Sequence, residues 1–237
     1  MTGLLGRIAE GGDGGGPAVA ATGVSLAEIA RRLEAGEALD RLGLGPADLV
    51  AALARLGLSE ASSEGLPLVR GKPLRAKLQR SLAEPALAAI LPDVARPVRL
   101  ALAAGLLQIH DFWEASHEAA QEADDRGESR FSPYWHGIAH RREPDYGNAA
   151  YWFRRVGRHP LYPALGAAAT ALVEAEGTDA DRRSLPVDRS GSWDPDAFSN
   201  LHRACRNDGP SSGLARRLQR LELAMLLDAT AAEAGLT

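Results

Sequence analysis

The chain has 237 residues and a formal net charge of −4, with 45% apolar and 24% charged residues. That is enough chain to bury a sizeable core, and the charge balance excludes a disordered polyelectrolyte and a polycationic nucleic-acid binder. Length alone favours one main helical domain with an appended piece. Cys205 is the only cysteine, which rules out an intrachain disulfide or a Cys-based zinc finger and suits a reducing, cytoplasmic setting. No apolar run approaches the roughly 18 residues of a membrane helix, so no membrane association is expected.

Residues 1–23 are Gly/Ala-rich and lack a cationic leader ahead of an apolar core, so they read as a flexible tail and not as a signal peptide. Residues 24–60 predict a small three-helix, helix-turn-helix-like module. Ser25 with Glu28 has capping-box spacing, and Leu26, Ile29, Ala30 and Leu33 recur at helical period. A short second helix covers 38–42, and Pro46 opens a third that carries Leu49, Leu53 and Leu56. Four Arg stand against five Asp/Glu between 25 and 58, too little positive charge for DNA, so this module is expected to pack or to dock a partner or a second copy. Residues 61–95 form a basic connecting segment, read as an exposed arginine-rich face.

The main domain, 96–237, is predicted as all-α and bundle-like. One Ala/Leu-rich helix is expected from Pro97 to about Asp125, and Ser132-Pro133 opens a short helix that stops before Pro144. Asp145 caps a helix over 146–156 that Gly157 and Pro160 end, and further helices follow over 161–176 and from Asp194-Pro195. The last helix aligns Leu214, Leu218, Leu221 and Met225 on one stripe. No strand pattern or phosphate-binding glycine loop is evident.

Chemistry-bearing residues are concentrated in this domain: nine of 12 aromatic residues lie between Phe112 and Phe153, and five of six histidines between His110 and His159. On one continuous helix, His110, Glu114, His117 and Gln121 would share a narrow face, because their spacings follow the helical turn. Ala115, Ala119 and Ala123 would offer a small-residue back for close packing. His136 and His140 are at i and i+4, with Glu143 on the same face. Together with His117 they supply three nitrogen donors suited to a divalent metal, Zn²⁺ or Fe²⁺, with Glu114 or Glu118 as a further ligand or general base and His110 orienting a ligand. The position after His136 is Gly137, so this is not a zinc-protease motif, and only half of a di-iron Glu-x-x-His pair is present. Arg141, Arg142, Arg154 and Arg155, with Tyr151 and Trp135, are candidates for holding a small anionic substrate, since guanidinium groups grip carboxylate or phosphate at two points. Alternatively, the acids simply pair with these arginines and the aromatics make core.

The run Tyr134-Trp135-His136-Gly137-Ile138, His140-Arg141-Arg142-Glu143-Pro144-Asp145, Asn148-Ala149, Tyr151-Trp152-Phe153-Arg154-Arg155-Val156-Gly157 and His159-Pro160 resembles the signature of a family of uncharacterised bacterial and fungal proteins. The resemblance covers about a third of the chain and implies kinship with no assigned mechanism. A fainter similarity is to the DinB-like helical metal-dependent hydrolases, which bring three histidines, two of them at i and i+4, onto one metal; it implies that role for His117, His136 and His140. The expected function is therefore a metal-dependent enzyme, hydrolase-like, with a non-haem iron oxygenase as one alternative. The other is a non-catalytic binding or scaffold protein with a buried His/Glu/Arg network.

Overall fold

The computed structural model describes residues 3–10, 16–60, 66–207 and 212–236. Among these the chain is mostly α-helical, as its periodicity predicts, with twelve α-helices and one two-stranded antiparallel ribbon. The ribbon, β1 (Ile8–Ala9) and β2 (Ala18–Val19), is an element that the sequence pattern did not reveal. It also corrects the reading of the described parts of 1–23 as a free tail. Leu4 and Val19 are buried, and the Leu4 N–H donates to the Asp228 carboxylate near the far end of the chain. Residues 1–2 and 11–15 of that tail lie outside the described residues, as do 61–65 of the connecting segment.

The Ser25 side chain accepts the Glu28 N–H at 3.2 Å and starts α1 (Leu26–Glu34). The second helix expected over 38–42 is a single 3₁₀ turn, Leu39–Arg41, and α2 (Pro46–Glu60) follows, so only the first and third of the expected elements are α-helices. They do not close on themselves. Leu49, Val50, Leu53 and Leu56 join one apolar core with leucines from the rest of the chain, because α2 packs on the helices Arg96–Ile109 and Ser212–Glu233 as well as on α1. In the connecting segment, α3 (Gln79–Leu82) and α4 (Glu84–Ile90) are short, and Arg70, Lys72, Lys77 and Arg80 are exposed, while Arg75, and Arg99 just beyond the segment, tie elements together. Arg75 pairs with Glu34 at 2.7 Å and Arg99 with Glu84 at 2.8 Å.

The expected helix over 97–125 is broken. α5 (Arg96–Ile109) ends at His110, and Asp111 sits at φ 62°, a left-handed conformation that aspartate tolerates better than most residues. The chain then reverses into α6 (Trp113–Asp125), forming a helical hairpin. Ser116 Oγ donates to the Ala104 carbonyl at 2.8 Å near the turn, and Arg96 pairs with Glu122 at 2.8 Å at the open end. Ala120 and Ala123 are fully buried in this hairpin, and Ala115 and Ala119 pack at its margin, as their size suggested.

α7 (Ser132–Arg142) is the centre of the fold, with every residue buried. Ser132 is its first helical residue and not its cap; the Glu128 carboxylate takes the N–H groups of Phe131 at 3.0 Å and of Ser132. Gly137 faces the Phe153 ring so closely that a methyl group would lie 2.6 Å from it, which is why no larger residue fits there. α8 (Tyr146–Val156) is capped by Asp145, as predicted, and packs on α7. α9 (Tyr162–Glu176), α10 (Asp179–Arg183) and α11 (Pro195–Cys205) follow, α10 with a Thr178/Asp181 capping box and α11 with the predicted Asp194 cap. α12 (Ser212–Glu233) crosses α5, α9 and α11. Its deepest stripe runs through Leu218, Glu222, Leu226 and Thr230, with Leu221 and Met225 on the flank, so a glutamate occupies a core position that an apolar-stripe reading passes over.

Candidate metal centre

The hairpin turn and the α6–α7 packing together build the site. α6 carries His117 and α7 carries His136 and His140 one turn apart, and one nitrogen from each ring lies within 4.8 Å of those of the other two. The predicted three-histidine group is therefore assembled, across two helices. His136 and His117 face each other with Nε2 atoms 2.8 Å apart, and the His140 ring centroid is 4.9 Å from His117 and 5.0 Å from His136. His136 and His140 are buried, and His117 is partly exposed, so solvent meets the site from the His117 side.

Aromatic rings hold the imidazoles in place. Trp152 of α8 stacks on His136 at 3.8 Å and 15°, and Trp113 stacks on His117 at 5.2 Å and 26°. Trp113 is itself fixed by donating Nε1–H to the Ala139 carbonyl at 2.7 Å, with the Arg70 guanidinium 4.3 Å above its ring. Arg155 covers Trp152 at 5.1 Å and is anchored by Asp124 at 2.9 Å. His140 Nδ1 is 3.3 Å from the Glu143 carboxylate, which lies 3.9 Å from Arg70. The outer nitrogen of His136, Nδ1, has no hydrogen-bond partner among the described residues, so that ring is positioned by stacking and by its Nε2 contact with His117. Burial, followed by the neighbouring His117, His140 and Arg155, pushes His136 down to about 3. Burial and His140 also lower His117, partly offset by Glu143 and Glu118. Both imidazoles are thus neutral at pH 7, the form with a free nitrogen lone pair for a metal.

Other predicted site residues fall elsewhere. His110 is separated from the His117 face by the Asp111 break, and its Nε2 is 2.9 Å from the Leu53 carbonyl, so its predicted role at the metal site is not supported. Glu114 is exposed and lines a neighbouring cavity of about 610 Å³ with Arg70, Lys72 and Trp113. Glu118 is exposed beside His117, where its charge is felt. Arg141 is fully buried and grips Glu222 of α12, with Phe198 4.4 Å from the guanidinium. Arg142, also fully buried, binds Asp111 at 2.5 Å and the Gln108 carbonyl at 3.0 Å. Trp135 is core, donating Nε1–H to Thr230 Oγ1 at 3.2 Å. These three are therefore corrected from substrate contacts to structural groups: none has surface through which to meet a ligand. Arg154 is exposed, and its charge is felt at Asp196 on α11. Arg155 and Tyr151 are exposed and hydrogen-bonded to each other. Of the four predicted arginines, Arg155 is the one whose charge is felt at His136.

Sequence reasoning did not single out Trp113, Trp152 and Arg70 as supports of the imidazoles. The aromatic concentration pointed to the region, but which ring covers which histidine depends on helices that meet only in three dimensions. No family model, curated protein or solved structure matches the chain, so the family signature and the DinB-like likeness rest on the residues quoted above. Among the described residues no helix is long and apolar enough to cross a membrane.

Proposed function

We propose that the chain is a metal-dependent enzyme, hydrolase-like in its chemistry, that holds a divalent ion such as Zn²⁺ or Fe²⁺ on His117, His136 and His140 and acts on a small anionic molecule. The observation that carries this reading is the convergence of three imidazole nitrogens within 4.8 Å of one another. Three imidazole nitrogen donors fit such an ion and leave further coordination positions for water or substrate. The ion, when bound, supplies Lewis-acid polarisation of a substrate oxygen and acidification of a water. Around it, Trp113 and Trp152 exclude water from two sides, Glu118 is the exposed carboxylate available to take up a proton, and Arg155 offers its guanidinium to an anion at the rim.

One observation favours a second reading. Nitrogens bound tetrahedrally at about 2.0–2.1 Å from an ion lie about 3.3 Å apart, whereas the His117 and His136 Nε2 atoms are 2.8 Å apart, the distance of a direct N–H···N hydrogen bond. Metal binding therefore requires these two rings to part by about 0.5 Å. If they do not, the group is a metal-free polar clamp between α6 and α7. Metal analysis of protein purified without a histidine tag, followed by titration with Zn²⁺ and Fe²⁺, separates the two. We expect one ion per chain, and we expect His136→Ala and His140→Ala to weaken binding by more than the roughly 10–100-fold that loss of an outer-shell partner costs. Folded wild-type protein that neither contains nor takes up metal overturns the proposal in favour of the clamp.

A further inference from the structure

Glu143 follows the last residue of α7 and lies three residues beyond His140, a spacing that places the two side chains one above the other. Its Oε2 is 3.3 Å from His140 Nδ1. A carboxylate has no proton to offer when ionised, so in the neutral imidazole the shared hydrogen belongs to Nδ1, and the lone pair of the ring belongs to Nε2. The carboxylate is in turn held from the other side. The Arg70 guanidinium lies 3.9 Å from Glu143 and 4.3 Å above the Trp113 ring, and the Arg70 backbone N–H donates to the Arg142 carbonyl at 2.8 Å. The segment carrying Arg70 is therefore docked on the C-terminal end of α7. A chain of contacts from Arg70 through Glu143 to His140 fixes the ring from outside, while Trp113, under the same arginine, fixes His117. His136 has no such support on its outer nitrogen.

We propose that Glu143 is a positioning residue of the three-histidine site: by accepting the Nδ1–H of His140 it selects the tautomer that offers Nε2 to a metal, and Arg70 holds it in place to do so. This rests on the metal-site reading above and deepens it by assigning His140's ligand atom and the group that sets it. Carboxylate–histidine–metal arrangements of this kind orient the ligand and raise its basicity, and losing the outer partner costs about 10–100-fold in metal affinity.

The test uses the full chain, with Co²⁺ as an optical probe and Zn²⁺ in competition, on wild type, Glu143→Ala, Glu143→Gln and Arg70→Ala, each checked for unchanged helix content by circular dichroism. Glu143→Ala is expected to weaken Co²⁺ and Zn²⁺ about 10–100-fold. Glu143→Gln, whose amide oxygen still accepts from Nδ1–H, should recover part of that loss, and Arg70→Ala should lose less than Glu143→Ala. In metal-free protein, the ¹⁵N signals of the His140 ring should show the Nδ1–H tautomer in wild type and a shift toward Nε2–H in Glu143→Ala, a readout that a merely structural role would not move. Wild-type affinity in Glu143→Ala, or a wild-type His140 in the Nε2–H form, overturns the role of Glu143 while leaving the metal site standing. Failure of every protein, wild type included, to bind either ion overturns the metal reading and with it this assignment.

Discussion

The most consequential polar contact outside the histidine group is the fully buried pair between Arg141 of α7 and Glu222 of α12. The Glu222 carboxylate accepts from both terminal nitrogens of Arg141, and its Oε1 also accepts the Tyr134 hydroxyl at 3.0 Å. Glu222→Ala would leave a guanidinium with no water access between the Phe153 and Phe198 rings, 5.5 and 4.4 Å away, and a buried hydroxyl without an acceptor. Breaking one side of a buried pair costs about 3–5 kcal/mol, a large share of the 5–15 kcal/mol that typically holds a domain together. Replacing both partners by apolar residues of similar size removes the stranded charge, so Arg141→Met/Glu222→Leu should recover most of the loss, short of about 1–3 kcal/mol for the Tyr134 hydroxyl. Urea unfolding at pH 7.5 on wild type, Glu222→Ala, the single variants Arg141→Met and Glu222→Leu, and the double variant measures this directly. The argument fails if Glu222→Ala lies within about 1 kcal/mol of wild type, or if the double variant is destabilised by the full sum of the singles, since either result means the charges are not coupled. Because Arg141 adjoins His140, the same single variants should also loosen the histidine group and weaken any metal it holds.

Stability should fall as pH drops from 6.5 toward 4. Burial pushes His136 and His202 down to about 3 and His159 to about 4, so below the ordinary histidine range the unfolded chain binds protons that the folded chain refuses. The stabilisation is complete above about pH 6.5 and is lost at up to about 1.4 kcal/mol per pH unit for each histidine, so urea midpoints at pH 7.5, 6 and 5 should decline steeply. A flat profile over that range would count against neutral, buried imidazoles. Gly137→Ala should lower Tm despite the better helix propensity of alanine, because the added methyl meets the Phe153 ring at 2.6 Å; we expect a net loss of about 1–2 kcal/mol in thermal or urea unfolding. An unchanged or raised midpoint would show that Phe153 moves away without cost.

Much of the secondary structure is written in local sequence. Ser25, Asp145 and Asp194-Pro195 start helices where their side chains bond the first free N–H groups, and the i, i+4 spacing of His136 and His140 is enough to place both on one side of α7. Such rules work because capping and helical periodicity act over about four residues. The break at Asp111 shows their limit. The sequence from Pro97 to Asp125 has acceptable helix formers throughout, and what bends it is the packing of α6 back on α5, with the Asp111 carboxylate held by Arg142, 31 positions away. That bend takes His110 off the line it would share with His117, and so decides which histidines form the group.

Tertiary structure likewise decides the fate of the arginines. Sequence counts five between Arg141 and Arg158, an excess over the nearby acids that suggests an anion site, yet the terminal nitrogens of Arg141 bind Glu222, 81 residues on, and those of Arg142 bind Asp111 and backbone carbonyls. Burial makes that outcome compulsory, since a charge removed from water must find its partners within the fold. The amino-acid sequence by itself thus determined an all-α chain and the segment where its ionisable and aromatic residues gather. Only the packing of α6, α7, α8 and α12 determined that His117 meets His136 and His140, and that Trp135, Arg141 and Arg142 serve the core, because helical order is a local property and partner choice a long-range one.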